Sequence, residues 1–202
     1  MTQERSNAIA TLVVAGFGLL WGFYWVPVRA MVDHGLPGAW GTVLSTLSAA
    51  VVLAPLVVPR WRVLLRADMV GLLSVAAGGA AFTLYSIGLV YGRVAIIILL
   101  YFLTPVWSVL IARYVMGWHT PALRIVAIFI GIAGLLVMLS AGGTLPMPRG
   151  VGEWMSLIAG ILWAVGTTGI RVRSDLGVIP ATFVFAIGAT LAGLLGVARA
   201  MA

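Results

Sequence analysis

Between Tyr101 and Ser108 the chain reads Tyr-Phe-Leu-Thr-Pro-Val-Trp-Ser, so that Tyr101, Thr104, Pro105 and Ser108 recur at i, i+3, i+4 and i+7. That spacing puts them on one face of a helix. The chemistry such a face offers is hydrogen bonding to a passing solute rather than bond making. Pro105 removes one backbone hydrogen bond and is read as a helix kink beside the polar face. The competing reading is that Thr104 and Ser108 only glue helices together. Tyr85, in the preceding apolar run, is a candidate for the same cavity, and Trp21, Tyr24 and Trp163 would add aromatic walls with a few polar handles, suited to a small amphipathic solute.

Little else in the chain could do chemistry. It has no cysteine, which removes disulfides, thiolate metal sites and cysteine nucleophiles, and it contains neither an HExxH motif nor a cluster of acids of the DDxxD kind. A membrane enzyme is therefore disfavoured. The five acids Glu4, Asp33, Asp68, Glu153 and Asp175 all fall in gaps or at the ends of apolar runs, so no mid-membrane carboxylate offers a proton relay. Facilitated diffusion or exchange is favoured over proton coupling. His34 and His119 are too far apart in sequence to suggest a metal pair, and no cofactor is expected. With no lysine at all, a retinal Schiff base is excluded.

These residues need elements to hold them, and composition says which. The chain has 202 residues, is 62% hydrophobic and 8% charged, and has a mean hydropathy of +1.16. Such values belong to an integral membrane protein. Apolar stretches of about 20 residues, the length that crosses a bilayer core, occur seven times: 8–31, 39–58, 68–90, 94–114, 122–140, 153–172 and 179–200. The runs are continuous rather than alternating, which predicts helices and not a β-barrel. The opening MTQERSNA lacks a basic n-region, so the first run is read as a retained span rather than a signal peptide.

The net charge of +7 comes from 12 arginines scattered through the gaps. This is a topology signal and not a nucleic-acid surface. If the N-terminus and every second gap share one side, that side carries eight arginines (5, 60, 62, 66, 113, 124, 171, 173) against four (29, 93, 149, 199). The positive-inside rule then places the N-terminus in the cytoplasm, with the chain multi-pass in the inner (plasma) membrane. Trp40, Trp61, Trp118 and Trp154 lie near span ends and read as interface anchors. Arg29 and Arg171 are expected to snorkel to headgroups, and the pairs Gly18/Gly22 and Gly88/Gly92 have the spacing of close helix contacts.

The segment GLLWGFYWVPVRAMVDHG aligns without gaps on GILWAVGTTGIRVRSDLG. Gly18, Leu20, Trp21, Arg29, Asp33 and Gly35 return as Gly160, Leu162, Trp163, Arg171, Asp175 and Gly177, each 142 residues later. Span 1 then corresponds to span 6, leaving five spans per repeat. An odd number forces the second copy to enter the membrane from the opposite side, which is an inverted repeat.

The GLLWG-type first span, the run YGRVAIIILLYFLTPVWSVLIARYVMGWHTPALRIVAIFIGIAGLLVML and the second copy GEWMSLIAGILWAVGTTGIRVR together resemble the drug/metabolite transporter superfamily and, more narrowly, the EamA-like transporters. The resemblance implies ten helices in two inverted five-helix repeats, with helices 1, 3, 4 and 6 and their counterparts around a central cavity. It also implies transport of small metabolites, frequently export. One departure is that Gly117 is followed by Trp118 and His119, where family members commonly carry Gly-Glu.

The expected fold is thus an all-α polytopic bundle of about seven transmembrane helices. One EamA-like five-helix repeat occupies 8–140, and the first two helices of an inverted second repeat occupy 151–202. Against a full second repeat three spans are wanting, so the chain is expected to be truncated, or to be completed by a partner subunit or dimer. The expected partners are the lipid bilayer and a small-molecule metabolite. An inactive or complementing fragment of such a carrier is the alternative.

Overall fold

A computed structural model describes residues 3–36, 39–140 and 147–201. Among them six stretches are long and apolar enough to cross a membrane: Asn7–Asp33, Trp40–Val57, Met69–Tyr91, Val94–Val115, Val151–Arg173 and Val178–Gly196. A seventh, the run expected at 122–140, is the shorter apolar helix of the set. The protein is a polytopic helical membrane bundle.

Two of the spans are broken, and a proline accounts for each break. The first divides into α1 (Gln3–Gly22) and α2 (Trp25–Asp33) around a turn at Phe23 and Tyr24. Pro27 cannot donate to a carbonyl one turn earlier, so the ladder lapses there. The fourth span divides likewise into α6 (Val94–Tyr101) and α7 (Thr104–Leu110), with the turn at Phe102 and Leu103 and Pro105 just beyond. The residue four before Pro105 is Tyr101, whose freed carbonyl accepts a hydrogen bond from Thr104 Oγ1 at 2.5 Å. After α7 comes a π-helical turn over Ile111–Val115.

The remaining elements are α3 (Trp40–Val57), the short α4 (Arg62–Arg66), α5 (Met69–Tyr91), α8 (Ala122–Ser140), α9 (Val151–Arg173) and α10 (Val178–Met201). Asp68 caps α5, accepting from the amide N–H of Val70 at 3.0 Å. The bundle is organised around α5, which packs most extensively on α9 and α10, while α10 also covers α3.

That tight packing depends on small residues. A Cβ at Gly79 would fall on the backbone carbonyl of Phe185, and one at Gly188 on that of Ala76, so α5 and α10 meet backbone to backbone. Lipid tails are as apolar as leucine, so such contact is a principal source of helix association in a bilayer. Of the two glycine pairs singled out by spacing, Gly88 and Gly92 do sit at crowded places, near Gly152 and Ile97. Gly18 and Gly22 face open space. The spacing of the latter pair is therefore not a contact motif among the described residues.

Several buried hydroxyls are satisfied across helices. Thr83 Oγ1 donates to the Ala189 carbonyl at 2.8 Å, and Ser156 Oγ to that of Ile97 at 2.6 Å. Large apolar side chains such as Phe17, Leu20, Val52 and Leu73 point outward. In lipid that outer surface is solvated and carries no penalty.

Candidate functional site

Six aromatic side chains from five helices close a circuit. Trp21 of α1 stacks on Tyr85 of α5 at 6.1 Å between ring centroids, and Tyr85 meets Tyr101 of α6 at 4.5 Å. Tyr101 lies 6.3 Å from Trp163 of α9, and Trp163 stands edge-on to Phe185 of α10 at 6.3 Å. Phe185 reaches Phe82 of α5 at 5.9 Å, and Phe82 returns to Trp21 at 6.1 Å. Tyr24, in the turn between α1 and α2, stacks on Trp21 at 5.3 Å and touches Phe82 at 5.5 Å.

Both helix breaks feed this ring. The turn at Phe23 and Tyr24 delivers Tyr24, and the end of α6 delivers Tyr101. Gly160 of α9 lets the Leu100 and Tyr101 carbonyls approach to within 3.3 and 3.2 Å of where its Cβ would be, so the opened backbone of the fourth span is covered by a neighbouring helix. Thr104 Oγ1 also lies 3.4 Å from the Gly160 carbonyl.

The ring carries no charged side chain. Its polar handles are hydroxyls and indole N–H groups. The Tyr24 hydroxyl shares a 2.9 Å hydrogen bond with Ser86 Oγ, which can donate in turn to the Phe82 carbonyl. The hydroxyls of Tyr85 and Tyr101 and the indoles of Trp21 and Trp163 make no hydrogen bond to another described residue, which leaves them available to a solute.

Of the residues singled out by sequence, Trp21, Tyr24, Tyr85, Tyr101 and Trp163 are thus brought together. Thr104 stands at the break beside them, tied to backbone. Pro105 and Ser108 do not join the ring. Pro105 faces a groove of about 290 Å3 between α7 and α8, with Phe102, Val106 and Ile128 on its walls. Ser108 is half-buried on α7. One face over Tyr101 to Ser108 requires an unbroken helix, and the break at Phe102–Leu103 rotates the second half away. Phe82 and Phe185 carried no sequence signal, because a phenylalanine in an apolar helix looks the same whether it faces lipid or a neighbour.

Two further expectations are corrected. Arg29 does not snorkel. Its Nε donates to the Leu89 carbonyl at 3.1 Å and its Nη2 to that of Gly92 at 2.9 Å, so it caps the C-terminal end of α5, where a cation also meets the helix dipole favourably. Glu153, at the first turn of α9, is 3% exposed. Its carboxylate receives Arg93 Nε at 2.7 Å and Nη2 at 3.2 Å, together with the Arg149 amide N–H at 2.7 Å. A buried acid is present, but it is locked in a bidentate ion pair at a span end.

A model of the EamA-like transporter family matches residues 8–140. The chain belongs to the EamA-like transporter family. No curated protein and no solved structure matches it. Membership makes this EamA-like chain a membrane transporter of the drug/metabolite type, and family and helical architecture together point to a transporter rather than an enzyme. In this EamA-like protein the matched segment supplies Trp21, Phe82, Tyr85 and Tyr101 of the ring and Tyr24 beside it, and the segment beyond it supplies Trp163 and Phe185.

Proposed function

We propose that the aromatic ring lines the translocation path of a secondary transporter that exports a small metabolite by alternating access. The observation that carries this reading is the composition of the ring: four of its members come from residues 8–140 and two, Trp163 and Phe185, from the segment that follows. Trp21 and Trp163 are the pair related by the 142-residue echo. Rocking one inverted repeat against the other would separate rings that now touch, opening the path from one side and then the other. With aromatic faces and uncharged donors, the ring suits a solute with an apolar body and a few polar atoms.

The chain reconstituted in liposomes should release a labelled amino acid or related metabolite down its gradient, and a Trp163→Ala variant should release it far more slowly. Equal flux through protein-free vesicles across a broad panel of solutes would overturn the proposal. We place the N-terminus in the cytoplasm of an inner-membrane protein, on the arginine count. A reporter fused after Arg66 should therefore read cytoplasmic, and a periplasmic signal would reverse the orientation.

A further inference from the structure

The end of the fourth span folds back on itself. Beyond the π-turn, Gly117 takes a positive φ of 68° that few other residues adopt, and the Trp118 amide N–H donates to the Ala112 carbonyl at 2.8 Å. The result is a hollow of about 250 Å3 lined by Arg113, Gly117, Trp118, His119 and Thr120. Arg171, near the end of α9, sets its guanidinium over the Trp118 ring at 5.9 Å, and Arg113 lies 6.0 Å from the centroid of Tyr114.

Neither guanidinium has a carboxylate partner among the described residues. Among the described residues the ion pairs are Arg93 with Glu153 and Arg173 with Asp68, and the exposed Asp175, four residues beyond Arg171, pairs with nothing. A guanidinium that lies near an aromatic ring and has no carboxylate partner keeps N–H donors free, and their planar fork fits the paired oxygens of a phosphate. The hollow also lies where Val94–Val115 and Val151–Arg173 end, at the depth of lipid headgroups.

We propose that this hollow binds a phosphate group, held by Arg113 of its lining and by Arg171, which reaches the hollow's edge over Trp118, with His119 also on its wall. The nearest source is the phosphodiester of an anionic lipid, which basic pockets between membrane helices are suited to hold. A soluble phosphate ester offers the same chemistry. The site is separate from the aromatic ring and does not depend on what that ring carries.

The test uses the purified full chain in mild detergent. Native mass spectrometry would count retained phosphatidylglycerol against phosphatidylcholine, and inorganic phosphate would be titrated while thermal unfolding is followed. Arg113→Gln/Arg171→Gln should retain at least about tenfold less phosphatidylglycerol, the scale set by losing two charge-assisted contacts. Phosphatidylcholine retention should not change. Arg62→Gln, an exposed arginine in the gap before the third span, should behave as wild type.

Phosphate-dependent stabilisation that the double variant abolishes, without lipid discrimination, would support the site with a soluble ligand as its source. Equal phosphatidylglycerol retention by wild type and double variant, with no phosphate-dependent shift, would overturn it. So would an equal loss in Arg62→Gln, which would mean that only diffuse surface charge matters. Should the glutamine pair fail to fold, Arg113→Lys/Arg171→Lys keeps the charge and removes the planar fork. Wild-type lipid discrimination in that variant would also count against the proposed geometry.

Discussion

The rings of Tyr85 and Tyr101 lie 4.5 Å apart at an interplanar angle of 41°, the closest ring contact among the described residues. Tyr85 belongs to α5, the most enclosed helix of the bundle, and is 4% exposed. Tyr101 is the last residue of α6, where Pro105 has opened the backbone. The contact therefore joins the most enclosed helix of the bundle to a span whose backbone is broken.

Tyr101→Ala should lower metabolite flux by about tenfold or more, the effect of displacing a positioned contact in a binding site. Tyr101→Phe keeps the ring and loses only the hydroxyl. It should retain most of the flux for apolar members of a substrate panel and lose it for those that use the hydroxyl. Vesicle efflux with matched protein densities reads both, and wild-type flux in Tyr101→Ala would remove the ring from the path.

Pro105→Ala supplies the amide N–H that Pro105 lacks. The Tyr101 carbonyl would regain a backbone donor in place of the Thr104 hydroxyl, closing the break at Phe102–Leu103. We expect a straighter fourth span and slower transport with no loss of thermal stability. Spin labels placed either side of the break would report the angle, and an unchanged distance distribution would contradict this account of the break.

Gly79→Ala and Gly188→Ala each place a methyl group on an opposing backbone carbonyl. Backbone cannot give way as a flexible side chain does, so each should cost about 1–3 kcal/mol by overpacking. Gly18→Ala, with nothing within 4 Å of its Cβ, should stay within about 0.5 kcal/mol of wild type. Unfolding in mixed micelles would rank the three, and a Gly18→Ala as damaging as Gly79→Ala would show that α1 has a contact this structure lacks.

The Arg93–Glu153 pair should respond unequally to the loss of its two members. The Arg93 side chain is 46% exposed and that of Glu153 is 4% exposed. Removing Glu153's charge with Glu153→Gln leaves Arg93 free to turn to water. Arg93→Ala strands a buried carboxylate with only backbone N–H groups, so it should lower the melting temperature more. The reverse order in a thermal-shift series would refute this assignment of burial.

What could be read in the chain was what depends on residue type along one dimension. Hydropathy marked the spans, because the bilayer sets a length and demands internally paired backbone. The loose motifs of residues 8–140, and the later segment that echoes their start, carried the family resemblance. Rare residues betrayed themselves: Trp21 and Trp163 stood out by recurring in an apolar chain, and Pro105 was legible as a kink, while the break before Pro27 was not.

Facing was left to the tertiary structure. Phe82 and Phe185 belong to the ring, yet they sit among small and apolar residues that do not mark which side faces a neighbour. Gly18 and Gly22 share the spacing of Gly88 and Gly92 without sharing their crowding, and Arg29 found the end of α5 instead of a headgroup. In water, hydrophobic periodicity separates inside from outside. In lipid both are apolar, so only the packing of helix against helix decides which residues meet.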